Sequence, residues 1–365
     1  MAALSLLQAL VAIFITKCDA TWATAALPKF SHILVFGDSS VDSGNSNYIK
    51  SVIKSNHYPY GLNFPYHIPT GRFSDGKLIP DFIASLLNIK DAGPPFLDPS
   101  LSDYDIRTGV SFASSASGYD DLTNAALGVI PASKQLEMFK NYIARLKGIV
   151  GEEEANRRIG GSLIMISSGN NDFLDYYNAL TRRRLQFNDT GFQDFVLDLL
   201  QNFVLGPVCI TLLLVLMMFC LPLEMRISQE LYNLGGRSFA IFGVFPNGCL
   251  PIQMTARLVH TCLEDLNAIC QSYNEKLVAL LHDLKESLPG SRIASANIYD
   301  PLIDMVHHPQ KYGFVETRRG CCGTGLIEVA LLCNIAKPLC NKYFSVLVLG
   351  FNPSNRSSLS FLLTY

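Results

Sequence analysis

Short apolar runs and longer stretches of helical periodicity alternate along most of the chain. Ile33-Leu34-Val35-Phe36 is an unbroken apolar run that stops at Gly37, the pattern of a strand buried on both faces. Residues 110–113, 163–166, 239–244 and 293–296 repeat it. Between them, Leu136, Phe139, Tyr142, Ile143 and Leu146 recur at i, i+3 and i+4 spacing and predict an amphipathic helix. Further helices are expected over residues 78–87, 192–202 and 255–288. Strands separated by helices imply βαβ units and a mostly parallel sheet covered on both sides. Turns that follow the strands then lie at strand carboxyl ends, where open α/β sheets build their sites.

Three segments stand outside this pattern. Residues 2–16 form an uncharged apolar stretch, followed by Cys18-x-Ala20 and Ala23-x-Ala25, both suited to signal peptidase. Residues 1–25 therefore read as a secretory leader. Residues 203–223 carry no charge and are long enough to cross a bilayer. They interrupt what otherwise reads as one amphipathic helix, residues 192–202 resuming at Ser228-Gln229-Glu230-Leu231 and feeding the strand at 239–244. An atypical insertion is placed at about 204–227, and residues 342–365 form an atypical tail. The body of the chain, 26–341, reads as one domain without repeats.

Composition narrows the function. The chain is 49% hydrophobic and 16% charged with a net charge of -2, and no region is strongly basic, which argues against nucleic acid as a partner. Arg182-Arg183-Arg184 and Glu152-Glu153-Glu154 read as solvated helix ends. Setting aside Cys18, nine cysteines remain, mostly in the second half; in a secreted chain this density predicts disulfides with at least one thiol left over. The cysteine and histidine spacings do not form a zinc site, so no metal or other cofactor is expected. Asn188-Asp189-Thr190 and Asn355-Arg356-Ser357 are glycosylation sequons. No Gly-x-Gly-x-x-Gly follows the first strand, which excludes a dinucleotide site there.

Gly37-Asp38-Ser39 closes a strand and opens a turn, the placement that a nucleophilic serine needs: a rigid strand fixes the backbone and presents the hydroxyl at the sheet edge. Phe36-Gly37-Asp38-Ser39-Ser40-Val41-Asp42-Ser43-Gly44-Asn45 resembles the first block of the plant GDSL esterase/lipase family, a group of SGNH-type hydrolases. Pro69-Thr70-Gly71-Arg72-Phe73-Ser74-Asp75-Gly76, the stretch from Gly109 to Tyr119, and Ser167-Ser168-Gly169-Asn170-Asn171-Asp172 resemble later blocks in the same order. Gly243-Val244-Phe245-Pro246-Asn247-Gly248-Cys249 and Tyr312-Gly313-Phe314 through Cys321-Cys322-Gly323 continue the match. The resemblance covers roughly residues 30–203 and 228–341. It implies a three-layer α/β/α, flavodoxin-like sheet of about five strands and a secreted hydrolase of carboxylic esters, acting on lipid or acyl substrates through an acyl-enzyme on Ser39. It also implies an oxyanion hole made by the Ser39 and Gly118 backbone N–H groups and the Asn171 side-chain amide. Where the family usually has glycine, this chain has Ala116, which predicts a different backbone path for that loop.

The family's base and its orienting carboxylate come from an Asp-x-x-His block near the carboxyl end. Here no histidine follows His308, and the block is absent. Asp304-Met305-Val306-His307 has the spacing but precedes the Cys321-Cys322 segment, and it reads as a surface pair on a helix. The apolar insertion and the tail both begin abruptly within matching sequence, as translated non-coding sequence would. Three readings follow: an ester hydrolase, a catalytically inactive relative that at most binds lipid or ester, and a protein tethered to a membrane through residues 203–223.

Overall fold

The computed structural model describes residues 29–125, 127–178, 181–206, 231–327 and 332–339. The leader, most of the apolar stretch and the tail 342–365 lie outside the described residues. Strands β1 (Ile33–Gly37), β2 (Leu163–Ser167), β3 (Ser238–Phe242) and β4 (Arg292–Ala296) form one parallel sheet in the order β1-β2-β3-β4. Pairing runs in register from Ile33 opposite Leu163 to Gly37 opposite Ser167.

The expected strand at 110–113 is an extended segment on the free edge of β1. The Val35 N–H donates to Val110 O at 3.1 Å, and the Phe112 N–H donates to Val35 O at 2.7 Å. It bridges Val35 of β1 through Ser111, which also bridges Pro95 on its other side, and follows β1 as far as a Ser114 N–H to Gly37 O bond at 3.0 Å. With this segment placed first, the spatial order is the 2-1-3-4-5 arrangement of flavodoxin-like sheets. The chain therefore leaves β1 toward one side and later returns on the other, which opens a crevice at the carboxyl end of β1.

The period-2 geometry of strands explains the two cores. Leu34, Phe36, Ile164, Ile166, Phe239 and Ile241 face one side and pack with the helices Ala132–Val150, Asp189–Leu205 and Glu264–Ser287. Ile33, Val35, Met165, Phe242 and Ala296 face the other, against Ile79–Leu86 and Tyr299–His307. Three layers result.

The single helix expected over 255–288 is two, Pro251–Ala256 and Glu264–Ser287. Leu258 between them has φ 55, a left-handed conformation no helix admits, and Cys262 is bonded back to Cys249. A second disulfide joins Cys322 to Cys333, Cys321 is also disulfide-bonded, and Cys270 is a free, buried thiol.

The described residues on either side of 207–230 lie close together. Val204 is fully buried and Leu205 still belongs to the helix Asp189–Leu205, which ends on Gly206 at φ 81. Across the gap the Tyr232 N–H donates to Val204 O at 3.3 Å, and Leu231 returns directly to the same core. The segment therefore leaves and re-enters at one point.

Candidate active site

Gly37 ends β1 with φ 138, and a Cβ there would lie 1.8 Å from Ser167 O, so only glycine lets β1 pass β2 this closely. The Asp38 N–H extends the ladder to Ser167 O at 2.9 Å. Gln135, from the helix Ala132–Val150, clasps both backbone groups of Gly37. Its Oε1 accepts the Gly37 N–H at 2.9 Å, and its Nε2 donates to Gly37 O at 3.0 Å and reaches Ser117 Oγ at 3.2 Å. Sequence reading passed over Gln135. Its signal was a polar residue on the buried face of an otherwise apolar stripe.

The turn itself is held by carboxylates. Asp38 Oδ1 accepts from the Ser40 N–H and from Ser40 Oγ. Burial pushes the Asp38 carboxyl up to about 6, against the Ser40 bonds and the Asn170 side chain, which favour the charged form. Asp42 accepts from the Gly44 and Asn45 N–H groups through Oδ1, and from Ser46 Oγ and the Ser115 N–H through Oδ2. Asn45 Nδ2 donates to Ser111 O and Ala113 O. These bonds fix the serine turn against the loop that follows residues 110–113.

Ser39 lies at the carboxyl end of β1, in the crevice where the strand order reverses. It is nearly buried, and its N–H and hydroxyl have no hydrogen-bond partner among the described residues. Asn171 donates Nδ2 to Ser117 O at 2.8 Å, which uses one of its two amide hydrogens and leaves the other. Gly118 is different. Its single N–H donates to Asn124 Oδ1 at 2.8 Å.

Ala116 has φ 56, the left-handed conformation that glycine adopts most readily. The surrounding bonds hold an alanine left-handed, at a cost of about 1 kcal/mol. The Ala116 N–H has no partner among the described residues.

Asp172 ties the Gly118 loop to the Asn171 helix. It accepts from the Tyr119 and Asp120 N–H groups at 2.8 and 3.0 Å and from Thr123 Oγ1 at 2.8 Å. Burial raises its carboxyl to about 7. A Cβ at Gly118 would lie 2.2 Å from Asp172 Oδ1, so here glycine answers a close approach. Gly118→Ala is expected to lower unfolding free energy by about 1–3 kcal/mol, read as a reduced urea midpoint. An unchanged midpoint would show that the loop yields freely.

Arg183 was expected to be a solvated helix end. It instead pairs in bidentate fashion with buried Asp120, Nε to Oδ2 at 2.7 Å and Nη2 to Oδ1 at 3.0 Å, and packs over Phe195. Glu152–Gly160 does begin on its three glutamates, where a helix N-terminus favours acids.

No imidazole among the described residues is hydrogen-bonded to Ser39. His32 sits at the opposite end of β1, where burial lowers it to about 3. Asp304 does not face His307; it takes His308 Nδ1 at 2.8 Å, Lys311 Nζ at 2.6 Å and the Tyr312 hydroxyl. The expected Asp304–His307 surface pair is thus an i, i+4 contact with His308. Among the described residues no cluster of His, Cys, Asp and Glu could hold a metal, and no helix is long and apolar enough to cross a membrane.

A three-layer α/β/α fold on a parallel sheet, with a serine on the turn after its first strand and an asparagine just after the neighbouring strand, fits the SGNH hydrolase fold. The GDSL-like Lipase/Acylhydrolase family matches residues 33–327. The chain belongs to this family, whose members are hydrolases acting on esters. Among similar proteins, an Arabidopsis thaliana GDSL esterase/lipase is 47% identical over 335 residues, covering 90% of this chain and 86% of its own length. Another from Arabidopsis thaliana is 46% identical over 335 residues, covering 90% and 87%. A third from the same plant is 45% identical over 338 residues, covering 91% and 86%.

Proposed function

We propose that this chain is a secreted serine ester hydrolase that forms its acyl-enzyme on Ser39. The observation that carries the reading is the placement of Ser39, with its N–H unengaged, at the carboxyl end of β1 and within one hydrogen-bonded assembly with Asn171. Attack on an ester carbonyl places negative charge on its oxygen, and each preorganised donor to that oxygen is typically worth ~10²–10³ in rate. The Ser39 N–H and the second Asn171 amide hydrogen supply two donors. Gly118, the third donor expected from the family pattern, already gives its N–H to Asn124; the unengaged Ala116 N–H in the same loop takes that role in our reading. Disulfide use and the apolar leader support an oxidising, extracellular setting. The substrate is a small-molecule or lipid ester.

A second reading has its own observation. Ser39 has no hydrogen-bonded base among the described residues, and no histidine follows His308. On that reading the chain is a catalytically inactive relative that binds lipid or ester without turnover. Hydrolysis of p-nitrophenyl acetate and butyrate by the purified chain, beside Ser39→Ala, separates the two. Turnover above the alanine variant supports the hydrolase; rates that coincide make this chain the inactive relative.

A further inference from the structure

Between Asp42 and Asp75 the chain has no acidic residue, yet it carries Lys50, Lys54, His57, His67 and Arg72 in a protein of net charge -2. Arg72 is spent internally, in a buried bidentate pair with Asp81. Lys50 and Lys54 have no acidic partner among the described residues, although Lys54 Nζ donates to Asn47 O at 3.3 Å, and His57 and His67 contact backbone carbonyls. These residues are interleaved with apolar side chains that face solvent: Tyr48, Val52, Tyr58, Tyr66 and Ile68. Tyr66 is 90% exposed. Asp98 approaches from outside the segment, beside the Tyr48 hydroxyl.

This display is built rather than loose. Tyr60 and Phe73 form a small core of their own with Ile53, and His57 packs edge-on against Tyr60. The Gly61 N–H donates to Ser74 O at 2.8 Å. Tyr66 and His67 have φ 63 and 57, two consecutive left-handed residues without a glycine, each disfavoured by roughly 1–2 kcal/mol. The His67 N–H to Phe64 O bond at 2.9 Å and the His67 ring contact with Leu62 O hold them there. Backbone strain kept in place to present an aromatic ring to water points to a use for that ring. The face is also continuous with the crevice. Ser115 Oγ donates to Ile53 O at 3.0 Å while the Ser115 N–H holds Asp42, and Ser51 Oγ donates to Leu127 O at 3.2 Å.

We propose that residues 48–68 are a docking face that lays this protein on an anionic lipid surface, with the Ser39 crevice beside the contact. Aromatic and branched side chains enter the headgroup boundary while Lys50 and Lys54 meet negative headgroups, the arrangement that interfacial segments use. The inference rests on the ester-hydrolase reading for its purpose, but its test needs no turnover.

The test is co-sedimentation of the full chain with phosphatidylcholine vesicles, with and without phosphatidylglycerol. Binding is expected to be tighter to the anionic vesicles and to weaken with salt. Tyr66→Asn with Ile68→Ser, where asparagine tolerates the left-handed backbone, should weaken binding about tenfold. Lys50→Gln with Lys54→Gln should weaken it by about tenfold on anionic vesicles alone. Leu185→Ser with Leu258→Ser removes exposed leucines elsewhere and should leave binding unchanged. Loop variants that sediment like the parent, as they would if the apolar stretch 203–223 made the contact or if the face served a protein partner, overturn the proposal. So does equal binding to neutral and anionic vesicles. Ser39→Ala should bind like the parent, so a failed hydrolase reading shows only in the ester assay.

Discussion

Replacing residues 342–365 with the matching carboxyl-terminal segment of an Arabidopsis relative that carries the Asp-x-x-His block should raise ester turnover by on the order of 10³ or more. The nucleophile turn is assembled: Gln135 clasps Gly37, Asp42 anchors the turn, and Asn171 keeps a free amide hydrogen. Among the described residues no base is hydrogen-bonded to Ser39, and the inactive reading proposed above rests on that. A serine hydroxyl at neutral pH is a poor nucleophile without one, and removal of the base from a serine triad costs about 10⁶ in kcat. A hybrid need recover only part of that to be unmistakable. Ser39→Ala in the hybrid should erase the gain. A folded hybrid, with circular dichroism matching the parent, whose rate does not rise would remove Ser39 from the role of nucleophile.

Deletion of residues 205–228 should stabilise the fold. With that segment removed, Val204 stands four positions before Tyr232. The Tyr232 N–H to Val204 O bond at 3.3 Å is then the i→i+4 bond of an uninterrupted helix. The helix would run through Leu231 and end at Gly235, which has φ 105 and is followed by a Gly236 N–H to Leu231 O bond at 2.9 Å, the geometry of a helix stop. Closing a loop of this length costs about 3 kcal/mol in chain entropy, and the deletion returns it. The expected result is a higher Tm and a higher urea midpoint. A shortened chain that is less stable or insoluble would show that the insertion carries contacts of its own. The same register fits our proposal that the segment is translated non-coding sequence. Transcript reads that run unbroken across codons 203–228 and beyond 341, in an abundant message, would defeat that explanation.

Periodicity made the sheet legible. Each of the four strands was visible as a short run rich in apolar residues, too short for a helix and set between longer helical patterns, although β4 is only partly buried. The segment at 110–113 was visible too, although it pairs through isolated bridges of Ser111 to Val35 and Pro95 and not as a full strand. The break at Leu258 was missed: the apolar stripe continues past it, while the backbone is redirected by a disulfide. In the site, Ser39 and Asn171 were legible through family resemblance. Gly118 was named as an oxyanion donor through the same resemblance; the fold shows in addition that its small size accommodates Asp172 and that its N–H donates to Asn124. Arg183 looked like one of three surface charges. Only the fold brings it to Asp120, 63 residues earlier.

The contacts that set Ser39 come almost wholly from residues 37–172, with Phe245 reaching back to Asn170 as a late addition. The apolar insertion and the tail both lie after that stretch. In chain order, almost every group that holds the Ser39 turn is therefore encoded in the first half, and changes downstream of Phe245 fall outside those contacts.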